Sequence, residues 1–149
     1  MFHPTESSSV LAAIERLMDA TVAKRLDAII DSYEQSDDVF IFLEGPRWAT
    51  HGYAAVATGW AAFIDADFQV RSRRWIGAPE VIGEGGLASI QGIFELDTRV
   101  GDIDRTVRFR GTWMLRKSTD ETDGHWRIVH EHVSIPAEDP YGIGDWLKP

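Results

Sequence analysis

Two histidines, His130 and His132, stand two residues apart in the run Trp126-Arg127-Ile128-Val129-His130-Glu131-His132-Val133-Ser134-Ile135. Asp123-Gly124 opens this run as a turn signal and Pro136, which cannot donate to an interior ladder, closes it, so the composition predicts a strand. Strict alternation puts Trp126, Ile128, His130, His132 and Ser134 on one face, and Arg127, Val129, Glu131, Val133 and Ile135 on the other. A hairpin turning around Glu121 with the preceding strand signal, Thr106 to Lys117, would set Arg110 opposite His132, Thr112 opposite His130 and Met114 opposite Ile128. An arginine fork beside neutral imidazoles and a hydroxyl suits a carboxylate, enolate or phenolate oxygen. An imidazole there could also act as a general base, because it titrates near neutrality. The same histidines could instead hydrogen-bond across the sheet or sit at a subunit contact. A metal site needs a third ligand, and no spacing singles out His51, His125 or Glu95 for that role, so no metal is expected.

These residues must be positioned by the rest of the chain. Met1 to Glu6 reads as a loose tail, and Ser7, Ser8 and Ser9 offer N-caps before Val10, Leu11, Ile14, Leu17, Met18 and Thr21, spaced for one helical face. Val22, Leu26, Ile29, Ile30 and Tyr33 continue the period with a break around Lys24 to Asp27, giving two helices or one kinked helix that ends near Gln35. Val39 to Leu43 is a β-prone apolar run closed by Gly45-Pro46. Tyr53, Val56, Trp60, Phe63 and Ile64 then mark a third helix with an aromatic stripe.

From Phe68 onward strands alternate with turn residues. Phe68 to Ile76 is interrupted at Gly77-Ala78-Pro79 and resumes over Glu80 to Ile82 beyond a bulge. Leu87 to Thr98, Thr106 to Lys117 and Trp126 to Ile135 follow. The register between the first two of these decides whether Gln91, Glu95 and Asp97 or Gly92, Phe94 and Leu96 point inward. Arg71, Arg73 and Arg74 read as a solvated face paired with acids. Helices at the front and an antiparallel meander at the back predict an α+β fold, with helices packed on one face of a curved sheet.

Composition narrows the function. The chain has 149 residues, 44% of them hydrophobic, which suits one domain spanning 1–149, with 1–8 and 137–149 as peripheral tails. A formal charge of −9 argues against nucleic acid or an anionic membrane as partner. Without cysteine there is no disulfide, thiolate metal site or thiol nucleophile. The N-terminal apolar run is broken by Glu15 and Arg16 and has no basic leader, so the cytoplasm is the expected address. Six Trp, seven Phe and three Tyr are many for this length, and aromatics line apolar pockets as well as cores.

The order of elements, the Asp37-Asp38 turn into an apolar strand, the run Arg110-Gly111-Thr112-Trp113-Met114-Leu115-Arg116-Lys117 and the stretch Gly124 to Ser134 resemble the SnoaL-like branch of the nuclear transport factor 2-like superfamily. Trp126-x-x-Val129-His130-x-His132-x-Ser134 also looks like the last strand of the association domain of calcium/calmodulin-dependent kinase. The resemblance implies a cystatin-like cone, in which a curved sheet wraps helices around an internal pocket, and a homodimer or larger homo-oligomer. It turns the His130 and His132 face toward that pocket. Its members range from assembly modules to isomerases, cyclases and hydrolases, so the fold names no reaction. Its isomerases and cyclases use a carboxylate base, sometimes with a tyrosine donor; Tyr33, Glu95 and Asp97 are candidates, none in a matching motif.

The resulting expectation is a stand-alone domain that needs no cofactor and holds a small apolar or carboxylate-bearing molecule. His132 or His130 would serve as acid/base and Arg110 as oxyanion partner. Thr112, Tyr53, Trp60 and Phe63 would line the pocket, and Trp48 would cap it from a loop or mark a subunit contact. The alternative is a non-catalytic association module.

Overall fold

The computed structural model describes residues 2–120 and 122–138. Among these residues three helices, α1 (Pro4–Val22), α2 (Leu26–Asp31) and α3 (Tyr53–Asp65), accompany six strands: β1 (Phe40–Phe42), β2 (Thr50–His51), β3 (Phe68–Glu84), β4 (Leu87–Val100), β5 (Ile103–Lys117) and β6 (Trp126–Ser134). One sheet takes the order β2-β1-β6-β5-β4-β3, with β1 parallel to β6 and every other pair antiparallel. The architecture is the expected α+β arrangement.

The helix α1 starts at Pro4, ahead of the serines expected to cap it. Proline at the first helical position costs no hydrogen bond, and the His3 ring accepts from the Thr5 N–H at 3.3 Å. Ser8 and Ser9 bond back to the carbonyls of Pro4 and Thr5, as hydroxyls inside a helix can. Lys24, with φ 52°, turns the chain between α1 and α2 at the expected break. Its ammonium then holds the end of α3, donating to the carbonyls of Ile64 and Ala66.

Val10, Ile14, Leu17 and Met18 from α1 meet Ile90, Phe94, Trp113, Leu115 and Ile128 from the sheet, and Ile29 and Val56 from the other helices close the same core. The long hairpin β3–β4 shifts register between Ile76 and Glu80, the interruption foreseen at Gly77-Ala78-Pro79. Gly92 and Gly111 face each other across β4 and β5. A Cβ on either would collide with an indole, Trp75 over Gly92 and Trp113 over Gly111. These mid-strand glycines let two tryptophans lie close against the sheet.

Two register findings set the site. Phe94 and Thr98 are buried and Leu96 is half-buried, whereas Glu95 and Asp97 bond to arginines of the neighbouring strands, so the Gly92–Phe94–Leu96 set faces inward. In the β5–β6 hairpin, Arg110 pairs with Ser134, Thr112 with His132 and Met114 with His130, two residues away from the expected partners. Leu115 then pairs with Ile128, so the ladder shifts at Val129. This bulge breaks the alternation: Trp126 and Ile128 point into the core, and beyond it Glu131 and Val133 do as well. The expected tails are partly corrected, since α1 already begins at Pro4; the distal tail from residue 139, with Tyr141, Trp146 and Leu147, lies outside the described residues.

Candidate active site inside the cone

The space between the helices and the inner face of the sheet is a cavity of about 650 Å³. Leu17, Met18 and Thr21 of α1, Val56, Trp60 and Phe63 of α3, and Phe94, Leu96, Phe109, Trp113 and Val133 of the sheet line it. This volume is within the range of small-molecule sites. Its wall is overwhelmingly apolar. Thr21 and Thr98 spend their hydroxyls on the carbonyls of Leu17 and Arg105, so neither offers a free donor.

Among the described residues, two carboxyls meet this wall, Glu44 at its exposed rim and Glu131 within it. Glu131 lines the cavity yet is only 2% exposed, and both of its oxygens are held. The Tyr33 hydroxyl donates to Oε1 at 2.9 Å and the Trp113 indole N–H donates to Oε2 at 2.5 Å. The Trp60 indole N–H in turn donates to the Tyr33 oxygen at 3.1 Å. Tyr33 is brought there by the segment after α2, which docks on β6 at the bulge: Ile128 N–H donates to the Ser32 carbonyl at 2.8 Å and Glu34 N–H to the Ile128 carbonyl at 3.0 Å. Four side chains from four distant stretches therefore converge on one buried network.

Burial pushes the Glu131 carboxyl up from an ordinary value near 4.5 to about 7, and the bonds from Trp113 and Tyr33 oppose that rise. Burial and the adjacent carboxylate drive the Tyr33 phenol well above its usual value, so it stays protonated and donates. Each carboxylate oxygen accepts one bond and keeps a further lone pair. The result is a carboxyl poised between its charged and neutral forms near neutral pH, at the edge of an apolar chamber, which is what general acid/base work demands.

A profile of the SnoaL-like domain matches residues 10–138 of the chain. The protein belongs to the SnoaL-like domain family. Among solved structures, this SnoaL-like domain is similar to an NTF2-like protein of unknown function from Pseudomonas putida, with 22% identity, TM-score 0.76 and complete coverage of both chains (100% and 100%). It is also similar to a ketosteroid isomerase-like protein from Erwinia carotovora atroseptica (18% identity, TM-score 0.73, covering 88% of this chain and 96% of that one). A third is a protein assigned as a calcium/calmodulin-dependent protein kinase type II association domain from Thiobacillus denitrificans (22%, TM-score 0.66, covering 85% and 94%). At these identities the solved structures show the shared fold. No curated protein matches the chain.

Within this SnoaL-like domain the residues singled out from the sequence separate into two groups. Trp60 and Phe63 line the cavity. Arg110, Thr112, His130 and His132 do come together, but on the outer face of the sheet rather than toward the pocket: β5 alternates with Gly111 and Trp113 inward, and the bulge in β6 gives its inner positions to Glu131 and Val133. Arg110 donates to the Ser134 hydroxyl at 3.0 Å, and the His130 ring bonds to the Phe40 carbonyl at 2.7 Å. Tyr53 packs against the core without lining the cavity, and Trp48, 96% exposed, does not cap it.

Of the carboxylate-base candidates, Tyr33 belongs to the buried network, while Glu95 and Asp97 lie outside it. Arg108 and Arg74 hold Glu95, and Ser72, Thr106 and Arg74 hold Asp97, so both carboxyls stay below their ordinary values. The arginine row is paired as expected, Arg71 with Asp104, Arg73 with Asp19 and Arg74 with Asp97. Among the described residues no group of three or more His, Asp or Glu could hold a metal ion, and no helix is long and apolar enough to cross a membrane. Glu131 was the residue that alternation misplaced. The clue to it was a lone acid among Val129, Val133 and Ile135, together with the two mid-strand glycines.

Proposed function

We propose that this SnoaL-like domain binds a small, largely apolar molecule inside the cone and moves a proton on it through Glu131. The observation that carries this reading is a carboxyl buried at the cavity wall and held by Tyr33 and Trp113, with Trp60 bonded to the Tyr33 oxygen; burial pushes that carboxyl up to about 7. As carboxylate, Glu131 takes a proton from a carbon or hydroxyl of the ligand; as acid, it returns it elsewhere. This is the chemistry of isomerisation or dehydration next to a carbonyl. The likeness to a ketosteroid isomerase-like protein fits that reaction class.

The test is deuterium uptake from heavy water into cyclic ketones and enones, followed by mass spectrometry on wild type and Glu131→Gln. The variant keeps the shape and is expected to exchange about 10²–10⁴ times more slowly, while binding of the neutral dye Nile red is unchanged. Equal exchange rates would remove Glu131 from the chemistry.

A second reading, for the outer face, is self-association. Ladder partners there form continuous rows: Ser89, Met114, His130, Phe40 and His51 in one, Gln91, Thr112, His132 and Phe42 in the next, then Ile93, Arg110 and Ser134. Ile93 and Met114 are 47% and 44% exposed in this patch, and the Phe42 ring packs edge-on against both imidazoles. An apolar centre ringed by Arg, His and Gln suits a two-fold contact with a second copy. Met114→Lys is expected to convert a dimer to a monomer in sedimentation while leaving the circular dichroism unchanged. A wild-type chain that sediments as a monomer would end this reading.

A further inference from the structure

The cavity has a cation at its rim. Arg47, on the loop between β1 and β2, is exposed and, among the described residues, is the only basic side chain lining the cavity. Its guanidinium rests beside α3, where a methyl placed on Gly59 would lie 3.8 Å from Nη1. Many guanidinium groups elsewhere have acid partners, as in Arg73 with Asp19, Arg116 with Glu34 and Arg127 with Asp123, though Arg110 bonds only to the Ser134 hydroxyl. Arg47 has no acid within ion-pair distance among the described residues. Glu44, its acidic neighbour on the rim, instead accepts the Ile135 N–H at 3.0 Å.

The interior imposes the opposite demand. Among the described residues Glu131, 2% exposed, is the one buried carboxyl lining the cavity, and a second carboxylate beside it would repel it in a medium of low dielectric. An anionic ligand group therefore belongs at the rim, with the hydrocarbon inside. Against a net charge of −9, a local cation favours the approach of an anion.

We propose that the ligand is an apolar carboxylic acid, seated with its carboxylate on Arg47 at the rim and its hydrocarbon body in the cone, so that only neutral ligand atoms meet Glu131. This assignment rests on the reading of the cone as a ligand site and adds the ligand's class and direction to it. The planar guanidinium offers a carboxylate paired donors, whereas the equivalent alcohol gains only a weaker single bond.

Calorimetric titration of the full chain with decanoate and with decanol, at about pH 8 where both the acid and Glu131 are ionised, tests it. Wild type is expected to bind decanoate about 10-fold or more tightly than decanol, the worth of a charge-assisted contact. Arg47→Met should erase that preference and leave decanol binding within about twofold of wild type. Decanol binding as tightly as decanoate, or a preference that survives Arg47→Met, would overturn the carboxylate assignment and leave the cone as a ligand site. Failure of wild type to bind either compound would overturn both.

Discussion

Raising the pH from about 4.5 to about 7 is expected to destabilise the wild-type protein by about 3 kcal/mol, and Glu131→Gln is expected to abolish this loss. The sign follows from the buried carboxyl. Its folded pKa is about 7 and its unfolded value is near 4.5, so between those values the native state holds a proton that the unfolded chain has released. The stabilisation is complete below pH 4.5, falls through the interval and is gone above about 7. The outer carboxylates contribute with the opposite sign at a lower pH. Arg108 and Arg74 hold Glu95 down, and Ser72, Thr106 and Arg74 hold Asp97 down, so their stabilisation is lost only as pH falls below ordinary values of 4.5 and 3.8. Glutamine at position 131 can accept from Trp113 and donate to the Tyr33 oxygen, which makes it a mimic of the neutral acid. Urea midpoints at about pH 5 and about pH 8 decide the matter: a wild-type difference that persists in Glu131→Gln would place the titrating group elsewhere.

Trp113→Ala should be the most damaging single truncation, costing about 3–5 kcal/mol. The indole is only 2% exposed, contacts Trp75 and Phe94 edge-on or tilted, and spends its N–H on Glu131. Its removal opens the cavity wall and strips the carboxylate of a donor at once. Trp113→Phe separates the two effects by keeping an aromatic ring and deleting the N–H. Because that bond lowers the Glu131 pKa, its loss should push the carboxyl above 7 and carry the pH-dependent loss of stability to higher pH. Above that range the variant should be weaker than wild type by about 1–3 kcal/mol, the cost of a charged acceptor left short of a donor. Thermal unfolding across pH reads both quantities, and an unshifted profile in Trp113→Phe would show that the indole does not hold the carboxyl.

Most of the fold could be read from local pattern. The helical spacing of Val10, Ile14 and Leu17, the break at Lys24, the aromatic stripe of α3 and the interruption of β3 at Gly77-Ala78-Pro79 each depend on contacts within a few residues, and each is found. The two-residue strand Thr50–His51 had no such pattern; it exists because β1 offers it an edge. The start of α1 at Pro4 shows how a terminal helix is set by which residue costs least at its first turn.

The site was legible only as a set of residues without a direction. Composition and spacing brought Arg110, Thr112, His130 and His132 together, and they are neighbours in the sheet. One extra residue at Val129 decides that the two histidines look outward, on the face that Arg110 and Thr112 already share, and that Glu131 looks in, because a bulge reverses the alternation of its own strand for everything after it. Nor could spacing along the chain join Tyr33, Trp60, Trp113 and Glu131. Only the docking of the segment after α2 onto β6 brings the phenol to the carboxyl, and only the glycines at 92 and 111 let indoles lie against that wall. By itself the sequence determined the family, the α+β order, the acidic surface and the wealth of aromatics, since those follow from residue type and short-range period. The tertiary structure decided which face encloses the cavity and which carboxyl is stripped of water there, because burial and register are properties of strands meeting, which no single strand carries.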